Sequence, residues 1–272
     1  MINLNGDIIH ESSESISINN RAFKYGDGLF ETIKVLDNKI VFLEDHYFRL
    51  MASLRMLRME IPMHFNMDFF EGEILKTVEE NELVDARVRF TVYRNDGGLY
   101  KPTSNEISFL IETKELKITE NITYEMDLFK DFYVYSGLLS TIKTSNKLIN
   151  VLASIYASEN DLNNCVLLNE NKFVAEVINA NIFLVFGSTI KTPSIDQGCI
   201  KGIVRKKIIE IVSKSETLEI EEVKISPFDL QKADEIFITN SIIGIQSVTK
   251  YRKATFKTNI AQQLTEKLEC LI

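Results

Sequence analysis

Cysteine, histidine, glycine and proline are scarce in this sequence, and their scarcity excludes several classes of structure. Three cysteines and three histidines are spread over 272 residues, so they form neither a disulfide framework nor a zinc-binding pattern. Buried free thiols in a reducing compartment are the simplest interpretation of Cys165, Cys199 and Cys270. With only 11 glycines and 4 prolines, long disordered linkers are not expected. We therefore predict an ordered protein without a metal site.

A surplus of positive charge is missing as well, and so are long apolar runs. The net charge of -8 argues against nucleic-acid binding, which requires clustered lysine and arginine. No apolar run approaches the roughly 20 residues that span a bilayer. The first residues, MINLNGDIIHESSES, lack the basic-then-apolar layout of a secretory signal. We expect a cytoplasmic protein whose partner is a small molecule and is neither a nucleic acid nor a membrane.

Apolar residues that recur at helical spacing predict helices along the whole chain. In each case they fall at intervals of three and four residues, which places them on one face. The predicted helices cover 47–54, 70–78, 148–155, 204–212 and 260–268. Asn66 or Asp68 is the expected N-cap of the second helix, because both side chains can accept a hydrogen bond from an unpaired backbone N–H.

Five apolar runs are typical of strands: LFETIKVLD, ARVRFTVYR, NCVLLNE, ANIFLVF and DEIFITN. In the second run Arg87 and Arg89 alternate with apolar residues, which indicates one buried face. Strands and helices mix without a steady β-α-β-α alternation, which favours α+β lobes over a doubly wound parallel sheet. Because 113–121 is polar, we predict a smaller domain at 1–115, a larger domain at 122–272 and a linker at about 116–121.

Four segments contain the residues that indicate chemistry. RAFKYGDGLFETIKV leads into the helix of His46 and Arg49, and IKTSNKL places Lys143 before a helix. VAEVINANIFLVF contains Glu176, and TPSIDQGCIKGIVRKKIIEI passes from a loop into a helix after Gly202. Taken singly, each has an ordinary explanation, such as a glycine turn, an exposed lysine or a structural histidine. The last helix start could bind phosphate, because the first N–H groups of any helix are unpaired.

Together and in this order, the four segments resemble the class IV pyridoxal 5′-phosphate (PLP) dependent aminotransferases. The resemblance extends from about residue 20 to about residue 248. That family includes branched-chain aminotransferases, D-amino acid aminotransferases and 4-amino-4-deoxychorismate lyase. The resemblance implies a PLP enzyme of fold type IV, a two-lobed α+β fold like that of D-amino acid aminotransferase. It also implies a homodimer with active sites near the subunit interface.

The resemblance implies a role for individual residues of this sequence. Lys143 corresponds to the lysine that forms a Schiff base with PLP and shuttles protons. Glu176 corresponds to the carboxylate that keeps the pyridine nitrogen protonated, which lets the ring accept electrons. The other residues implied to bind the cofactor are Arg49, Asn181, Ile203, Val204, Thr239 and Asn240, with Arg49 clamping the phosphate. The residues implied to meet the substrate are Tyr25, Arg94 and Lys147.

The sequence departs from the family pattern at two places in this implied site, namely at Val204 and after Glu176. Members commonly read GITR where this chain reads GIVR, so Val204 lacks a hydroxyl that would bind phosphate. A charge-assisted hydrogen bond contributes roughly 1.5–3 kcal/mol, so we expect somewhat weaker retention of the cofactor. Val177 and Ile178 replace the usual Gly-Ser after Glu176 and make the site bulkier there. Neither change removes a reacting group, and we expect catalysis to survive.

Two reactions fit the resemblance, and both begin with an external aldimine between PLP and a substrate amine. An aminodeoxychorismate lyase releases pyruvate and forms p-aminobenzoate, whereas an aminotransferase leaves the amino group on the cofactor. ADEIFITNSIIGIQSV resembles the lyase segment ADE-x-x-x-TNS-x-x-G-x-x-PV. Lys147 stands where lyases have a basic residue and branched-chain aminotransferases a tyrosine. We therefore predict the lyase, an enzyme of folate biosynthesis.

Two alternatives stay open. Leu99 in YRNDGGLY stands where the lyase loop R-x-x-GG-R-GY has a second arginine, a natural partner for a substrate carboxylate. Arg94 or another arginine of the same strand would have to replace it, so this position favours an amino-acid aminotransferase of the branched-chain or D-amino acid type. The alternative from another class is a catalytically silent relative that only binds PLP. The presence of both Lys143 and Glu176 argues against it.

Overall fold

The computed structural model describes residues 1–13, 17–118 and 122–272. The helices in these ranges are α1 (Arg21–Tyr25), α2 (Leu43–Met56), α3 (Met67–Glu80), α4 (Leu148–Glu159), α5 (Ile203–Ser213) and α6 (Asn259–Glu269). The strands are β1 (Ile2–Leu4), β2 (Asp7–Ile9), β3 (Gly28–Leu36), β4 (Lys39–Ile40), β5 (Ala86–Arg94), β6 (Ile107–Glu115), β7 (Glu125–Val134), β8 (Asn164–Asn169), β9 (Val174–Val177), β10 (Asn181–Phe186), β11 (Thr189–Pro193), β12 (Glu219–Val223), β13 (Glu235–Asn240), β14 (Gly244–Val248), β15 (Lys250–Tyr251) and β16 (Ala254–Thr255). None of the described helices is long and apolar enough to cross a membrane.

All five helices predicted from apolar spacing are present as α2 to α6. Asn66, and not Asp68, is the N-cap of α3, where its side chain accepts a hydrogen bond from the N–H of Phe69 at 2.9 Å. The predictions missed α1, because its five residues are too few to show a helical repeat. Its start is capped by Asn20, whose side chain accepts from the N–H of Phe23.

The five strands predicted from apolar runs are present as β3, β5, β8, β10 and β13. β5 has the predicted alternation, since Arg87 is exposed and Arg89 is half-buried while Val88 and Phe90 are buried. β10 is buried on both faces along most of its length. A strand covered on both sides needs apolar residues at consecutive positions, which explains the unbroken run NIFLVF.

The chain divides into two compact units, and the first contains Met1–Ile118 together with Lys143–Asn146. Its sheet has six strands in the order β2-β1-β6-β5-β3-β4, and every pairing is antiparallel. α2 packs against β3, and α3 packs against β5 and β6. The residues of α2 that face the sheet therefore meet side chains of β3.

The second unit contains Thr119–Ile142 and Lys147–Ile272. It has two five-stranded sheets, in the orders β12-β11-β10-β13-β14 and β16-β15-β7-β8-β9. Both are mixed, because β11 runs parallel to β12, and β7 runs parallel to β8 and to β15. Apolar side chains from both sheets share one buried cluster, so the sheets pack face to face within this unit.

Helices and strands mix in each unit without regular β-α alternation, which agrees with the predicted α+β class. The two units differ from the predicted domains chiefly at 143–146, which belong to the first unit. The domain bounds 1–115 and 122–272 stay a prediction. The predicted linker at 116–121 also stays a prediction, and its residues 119–121 lie outside the described part of the chain.

Three of the larger apolar residues of α4 do not face the sheet that supports this helix. Helical spacing predicts that an apolar stripe faces the core. Instead, the small residues Ala153 and Ala157 lie one turn apart against β7 and β8. Leu148, Val151 and Ile155 are 64%, 51% and 49% exposed. Small side chains let the helix approach the sheet closely, and Ile149, Leu152 and Tyr156 pack at the edges of this contact. Leu148, Val151 and Ile155 remain on the outer face.

Candidate active site

The residues predicted to carry chemistry fall into two clusters, one in each unit. In the first unit, 143–146 runs alongside β3. The N–H of Phe30 donates to the carbonyl oxygen of Lys143 at 2.9 Å, and the N–H of Ser145 donates to that of Gly28 at 2.9 Å. The Nζ atom of Lys143 lies 4.5 Å from the centroid of the Phe30 ring. These contacts hold the half-buried lysine against the first residues of β3.

Three titratable side chains form a buried group in the same unit. Glu31 projects from β3 and is 2% exposed. Its carboxylate accepts a hydrogen bond from Arg49 Nε at 2.8 Å and lies 2.7 Å from His46 Nδ1. A further bond joins Arg49 Nη2 to the same carboxylate. Since His46 and Arg49 are three residues apart on α2, both side chains reach the same face of the helix.

The electrostatics of this group favour one pattern of protonation. Burial would raise the pKa of Glu31, but the charge of Arg49 and the hydrogen bonds from His46 and Arg49 lower it to about 2. Burial lowers the pKa of His46 against the opposing effect of Glu31, and the charges of Arg49 and Lys143 lower it further. Near pH 7 the carboxylate is therefore ionised and the imidazole is neutral. Because an ionised carboxylate can only accept, His46 carries its hydrogen on Nδ1.

In the second unit, Glu176 lies on β9 and is 6% exposed. Its Oε2 atom accepts a hydrogen bond from the backbone N–H of Ile200 at 2.9 Å. A hydrogen bond donated to a carboxylate stabilises its ionised form. Ile200 stands three residues before α5, so the same short segment supports this carboxylate and leads into the helix.

Asn181 shapes the turn between Ile200 and α5. Its Nδ2 atom donates to the carbonyl oxygen of Ile200 at 2.9 Å. A Cβ atom at Gly202 would lie 1.9 Å from Asn181 Oδ1, so only glycine fits there. Gly202 is the N-cap of α5, and as a glycine it has no side chain with which to cap the helix. The first N–H groups of α5, those of Ile203 and Val204, can therefore donate to an anionic ligand.

Replacing Gly202 with alanine is expected to destabilise the protein. Its φ of -66° suits any residue, so the cost comes from the new methyl group meeting Asn181 and not from backbone strain. We expect the free energy of unfolding to fall by about 2 kcal/mol, because the core is overpacked and the Asn181 hydrogen bond is disturbed. Chemical denaturation measures this change.

Gly72→Ala is the matched control, since Gly72 lies in α3 and a Cβ atom there meets nothing within 4 Å. Alanine should stabilise that helix slightly. Removing the Asn181 side chain should relieve the clash at Gly202. Asn181→Ala should therefore cost less in the Gly202→Ala variant than in the parent protein. Strict additivity of the two substitutions would contradict this account.

Thr239 and Asn240 end β13 on the strand next to β10. Thr239 lies directly opposite Asn181, and its Oγ1 atom is buried without a hydrogen-bond partner among the described residues. Such an atom marks a place where a bound group can complete the hydrogen bonding. Asn240 instead uses its Oδ1 atom to accept from the N–H groups of Ile242 and Ile243 at 2.9 and 3.0 Å. Its side chain therefore shapes the next turn.

Lys147 is the N-cap residue of α4 and is half-buried. Burial lowers the pKa of Lys147, and the charge of Glu176 opposes this effect. The two side chains are therefore close enough to interact electrostatically. A partly desolvated ammonium group beside a single carboxylate can still attract a second anion.

Arg94 occupies a different setting from the one predicted. It is 6% exposed, and its guanidinium donates to Asp27 at 2.9 Å, to Asn105 at 2.5 Å and to the carbonyl oxygen of Leu57 at 2.7 Å. A substrate contact would have to replace such bonds, each worth roughly 1.5–3 kcal/mol. This arrangement favours a structural role for Arg94. Leu99, which stands at the position of the second arginine in the lyase loop pattern, is 77% exposed.

Tyr25 ends α1 and lies beside the loop that contains Gly97, Leu99 and Tyr100. Its ring is 5.6 Å from the ring of Tyr100 and 5.0 Å from the guanidinium carbon of Arg21. Arg21 also donates to the carbonyl oxygens of Gly97 at 3.0 Å and Leu99 at 2.6 Å. The loop is therefore held to α1 by a buried arginine, and Tyr25 stays partly exposed at its edge.

The sequence reasoning missed Glu31, Asp27 and Ile200. A signal for Glu31 was present, because it shares the face of β3 that carries Leu29 and Ile33 at two-residue spacing, and that face is buried. A charged residue on a buried face requires partners. Ile200 acts through its backbone N–H, so no pattern of side chains could have identified it.

The residues of each unit fit the cofactor that the sequence implies. In the second unit, the buried carboxylate of Glu176, the uncapped start of α5 and the Thr239 hydroxyl suit a protonated pyridine and a phosphate. In the first unit, Lys143 supplies an amine and Arg49 a guanidinium that can bind phosphate. Across 1–13, 17–118 and 122–272, no three histidine, cysteine, aspartate or glutamate side chains are grouped to hold a metal ion.

The chain is similar to known proteins over almost its whole length. The family model for amino-transferase class IV matches residues 28–251. A Methanocaldococcus jannaschii protein with the provisional name branched-chain-amino-acid aminotransferase is 31% identical, over 98% of this chain and 93% of that protein. The aminodeoxychorismate lyase of Bacillus subtilis is 28% identical, over 94% of this chain and 88% of the lyase. The branched-chain aminotransferase structure from Thermoproteus uzoniensis has a TM-score of 0.90 at 20% identity, over 98% of this chain and 93% of that one.

Proposed function

The chain belongs to the class IV aminotransferase family, a family of pyridoxal 5′-phosphate enzymes, and we propose that it is a 4-amino-4-deoxychorismate lyase. The family and the fold type IV architecture predicted from the sequence are confirmed. The proposed reaction splits 4-amino-4-deoxychorismate into p-aminobenzoate and pyruvate, which would place the enzyme in folate biosynthesis. The cytoplasmic location stays a prediction.

The proposal assigns a role to each residue that the family resemblance implies to bind the cofactor. When bound, PLP supplies an aldehyde that joins amines covalently and a pyridine ring that accepts electrons. Lys143 Nζ would hold the aldehyde, and Glu176 would pair with the pyridine nitrogen. The donors proposed for the phosphate are the Arg49 guanidinium, the N–H groups of Ile203 and Val204, and the Thr239 hydroxyl. Asn181 and Asn240 act indirectly, because they shape the turns beside these donors.

In this proposal Lys143 transfers a proton and Glu176 holds one in place. The Ile200 N–H donates to the Glu176 carboxylate, which would pair with the protonated pyridine nitrogen of the bound cofactor. Lys143 Nζ would take the proton from the ring carbon that bears the substrate amine. The neighbouring carbon would then lose its enolpyruvyl oxygen, and the ring would become aromatic. The released enolpyruvate would take up a proton from solvent on its terminal carbon and become pyruvate.

The observation that carries the lyase proposal is the setting of Lys147. An amino acid has its carboxylate on the carbon that bears the amine. Aminodeoxychorismate instead has one carboxylate across the ring and another on the enolpyruvyl group, both remote from the amine. A half-buried ammonium that interacts with Glu176 is suited to such a remote carboxylate. A tyrosine at this position would supply no charge.

Pyruvate release tests the proposal directly. PLP-loaded protein is mixed with freshly made aminodeoxychorismate, and lactate dehydrogenase with NADH reports pyruvate continuously. Pyruvate that appears with the parent protein but not with Lys143→Ala supports the lyase. Protein that retains PLP yet releases no pyruvate would refute it.

Lys147→Leu is expected to lower kcat/KM for aminodeoxychorismate by about ten- to a hundredfold, because a charge-assisted hydrogen bond to the substrate is lost. Lys147→Arg should retain most of the activity, since it keeps the charge. Lys253→Leu is the matched control, because Lys253 is an exposed lysine of the same unit. Thermal melting checks that the start of α4 is intact. An unchanged kcat/KM in Lys147→Leu would remove the observation on which the lyase proposal depends.

An amino-acid aminotransferase is the second candidate, because Leu99 leaves no cationic side chain at the position where lyases have their second loop arginine. The 31% identical relative with a branched-chain aminotransferase name supports the same alternative. L- and D-amino acids, each with a keto acid acceptor, test it. Keto acid formation that exceeds pyruvate release from aminodeoxychorismate would decide for the aminotransferase.

We also propose that the enzyme is a homodimer that buries the outer face of α4. Leu148, Val151 and Ile155 form an exposed apolar stripe in the second unit, which a partner subunit would cover. Val151→Asp is expected to weaken the dimer by about 2 kcal/mol, because a charge would be buried without a partner. Light scattering across a dilution series measures this. Met63→Asp, at a fully exposed position of the first unit, should leave the dimer unchanged, and a dimer equally resistant to both changes would contradict the proposal.

A further inference from the structure

We propose that Glu31 and His46 are positioning residues that orient the guanidinium of Arg49 for the phosphate of the cofactor. The inference rests on the proposed role of Arg49 in phosphate binding. Neither residue is assigned a contact with the cofactor itself. Both act through Arg49, and they do so from inside the first unit.

Glu31 holds the side chain of Arg49 through two hydrogen bonds. A free arginine side chain has many rotamers, and ordering it costs binding free energy. Glu31 accepts from the Nε and Nη2 atoms of Arg49 together, which fixes both the position and the plane of the guanidinium. Because this bidentate pair occupies one edge of the guanidinium, Arg49 would meet a phosphate from another side of the group. The pair therefore selects the direction from which Arg49 binds an anion.

A buried carboxylate at position 31 requires a physical reason. Glu31 lies on the buried face of β3 between Leu29 and Ile33, where an apolar residue would continue the pattern. Buried ion pairs contribute little net stability, because desolvation offsets the attraction between the charges. An apolar residue would hold the sheet at least as well but would remove the two hydrogen bonds that Glu31 accepts from Arg49. A role in orientation explains the carboxylate better than a role in stability.

His46 fixes the carboxylate of Glu31 in turn. Its Nδ1 atom lies 2.7 Å from Glu31 Oε2, the oxygen that also accepts from Arg49 Nη2. As a neutral donor, the imidazole orients the carboxylate without adding a charge that would compete with Arg49. The Nε2 atom of His46 is buried without a hydrogen-bond partner among the described residues. The ring is therefore engaged through its Nδ1 hydrogen bond to Glu31.

Binding of PLP and of pyridoxal to the apoprotein tests the inference, because pyridoxal lacks the phosphate. Quenching of tyrosine fluorescence gives both dissociation constants. In Glu31→Gln we expect the Kd of PLP to rise about tenfold and that of pyridoxal to change less than twofold. His46→Leu should behave in the same direction. His46→Asn should stay near the parent protein, since the asparagine Nδ2 atom can replace Nδ1 as the donor to Glu31.

Arg49→Met is the reference, and it should abolish the preference for PLP over pyridoxal. Adding Glu31→Gln to this variant should then have no further effect on the Kd of PLP, because Glu31 acts through Arg49. A further loss in the double variant would overturn the inference, and so would equal losses for PLP and pyridoxal in Glu31→Gln. An Arg49→Met variant that kept its preference for PLP would overturn it together with the role of Arg49. Selective loss of PLP binding in a protein that releases no pyruvate would support this inference while refuting the lyase.

Discussion

Lys143→Ala is expected to remove the visible absorption of the PLP-loaded protein and to lower turnover by about a thousandfold or more. The amine of Lys143 is the only proposed covalent attachment for the cofactor aldehyde and is also the proposed base. Alanine therefore removes a covalent bond and a proton-transfer group in one change. An absorption spectrum and a single-turnover assay measure the two effects separately.

Lys101→Ala is a suitable control for this experiment, because Lys101 is an exposed lysine of the same unit. Its spectrum and turnover should match those of the parent protein. The backbone of 143–146 pairs with β3 through main-chain hydrogen bonds, so Lys143→Ala should also fold normally. If the visible absorption persisted in Lys143→Ala, another lysine would hold the cofactor, and the assignment of Lys143 would be wrong.

Glu176→Gln is expected to lower kcat by about a hundredfold or more while leaving the visible absorption in place. An ionised carboxylate keeps the pyridine nitrogen protonated, and a neutral amide does not. Electrons from the substrate carbon would then have a poorer acceptor. The glutamine Oε1 atom can still accept the hydrogen bond from Ile200, so the turn before α5 should keep its shape.

The matched control is Glu216→Gln, an exposed position in the same unit. Steady-state kinetics with either candidate substrate give kcat, and the absorption spectrum reports cofactor attachment. A kcat within threefold of the parent value in Glu176→Gln would contradict the pyridine-partner role. Loss of the cofactor from Glu176→Gln would indicate that the carboxylate chiefly binds the ring.

Five of the six described α-helices and five of the sixteen described strands were predictable, because the signals of these elements are local. The helical spacing at 47–54 and 70–78 and the alternation around Arg87 each lie within one element, so tertiary contacts were not needed to interpret them. α1 escaped prediction because a helix of five residues shows no repeat. The outward stripe of α4 was also beyond a periodicity argument, since spacing identifies a face and not what covers it.

The candidate site was predictable only in part, for a related reason. The family resemblance implies that Arg94 meets the substrate, yet in the fold it is enclosed by Asp27, Asn105 and Leu57, which lie 67, 11 and 37 residues away along the chain. Whether an arginine meets solvent or a buried network depends on which loops surround it. Spacing within its own strand carries no such information.

The sequence by itself determined five of the helices, five of the strands and the family, and it singled out Lys143 and Glu176 as the proposed reacting residues, because short-range periodicity and short motifs carry these signals. Only the tertiary structure decided that Glu31 joins His46 to Arg49 and that the N–H of Ile200 donates to Glu176. It also decided that a side chain at position 202 would clash with Asn181. Each of these pairs joins different elements or the turns between them. Such pairs form only when strand register and helix packing bring distant residues together, and chain order alone does not specify that geometry.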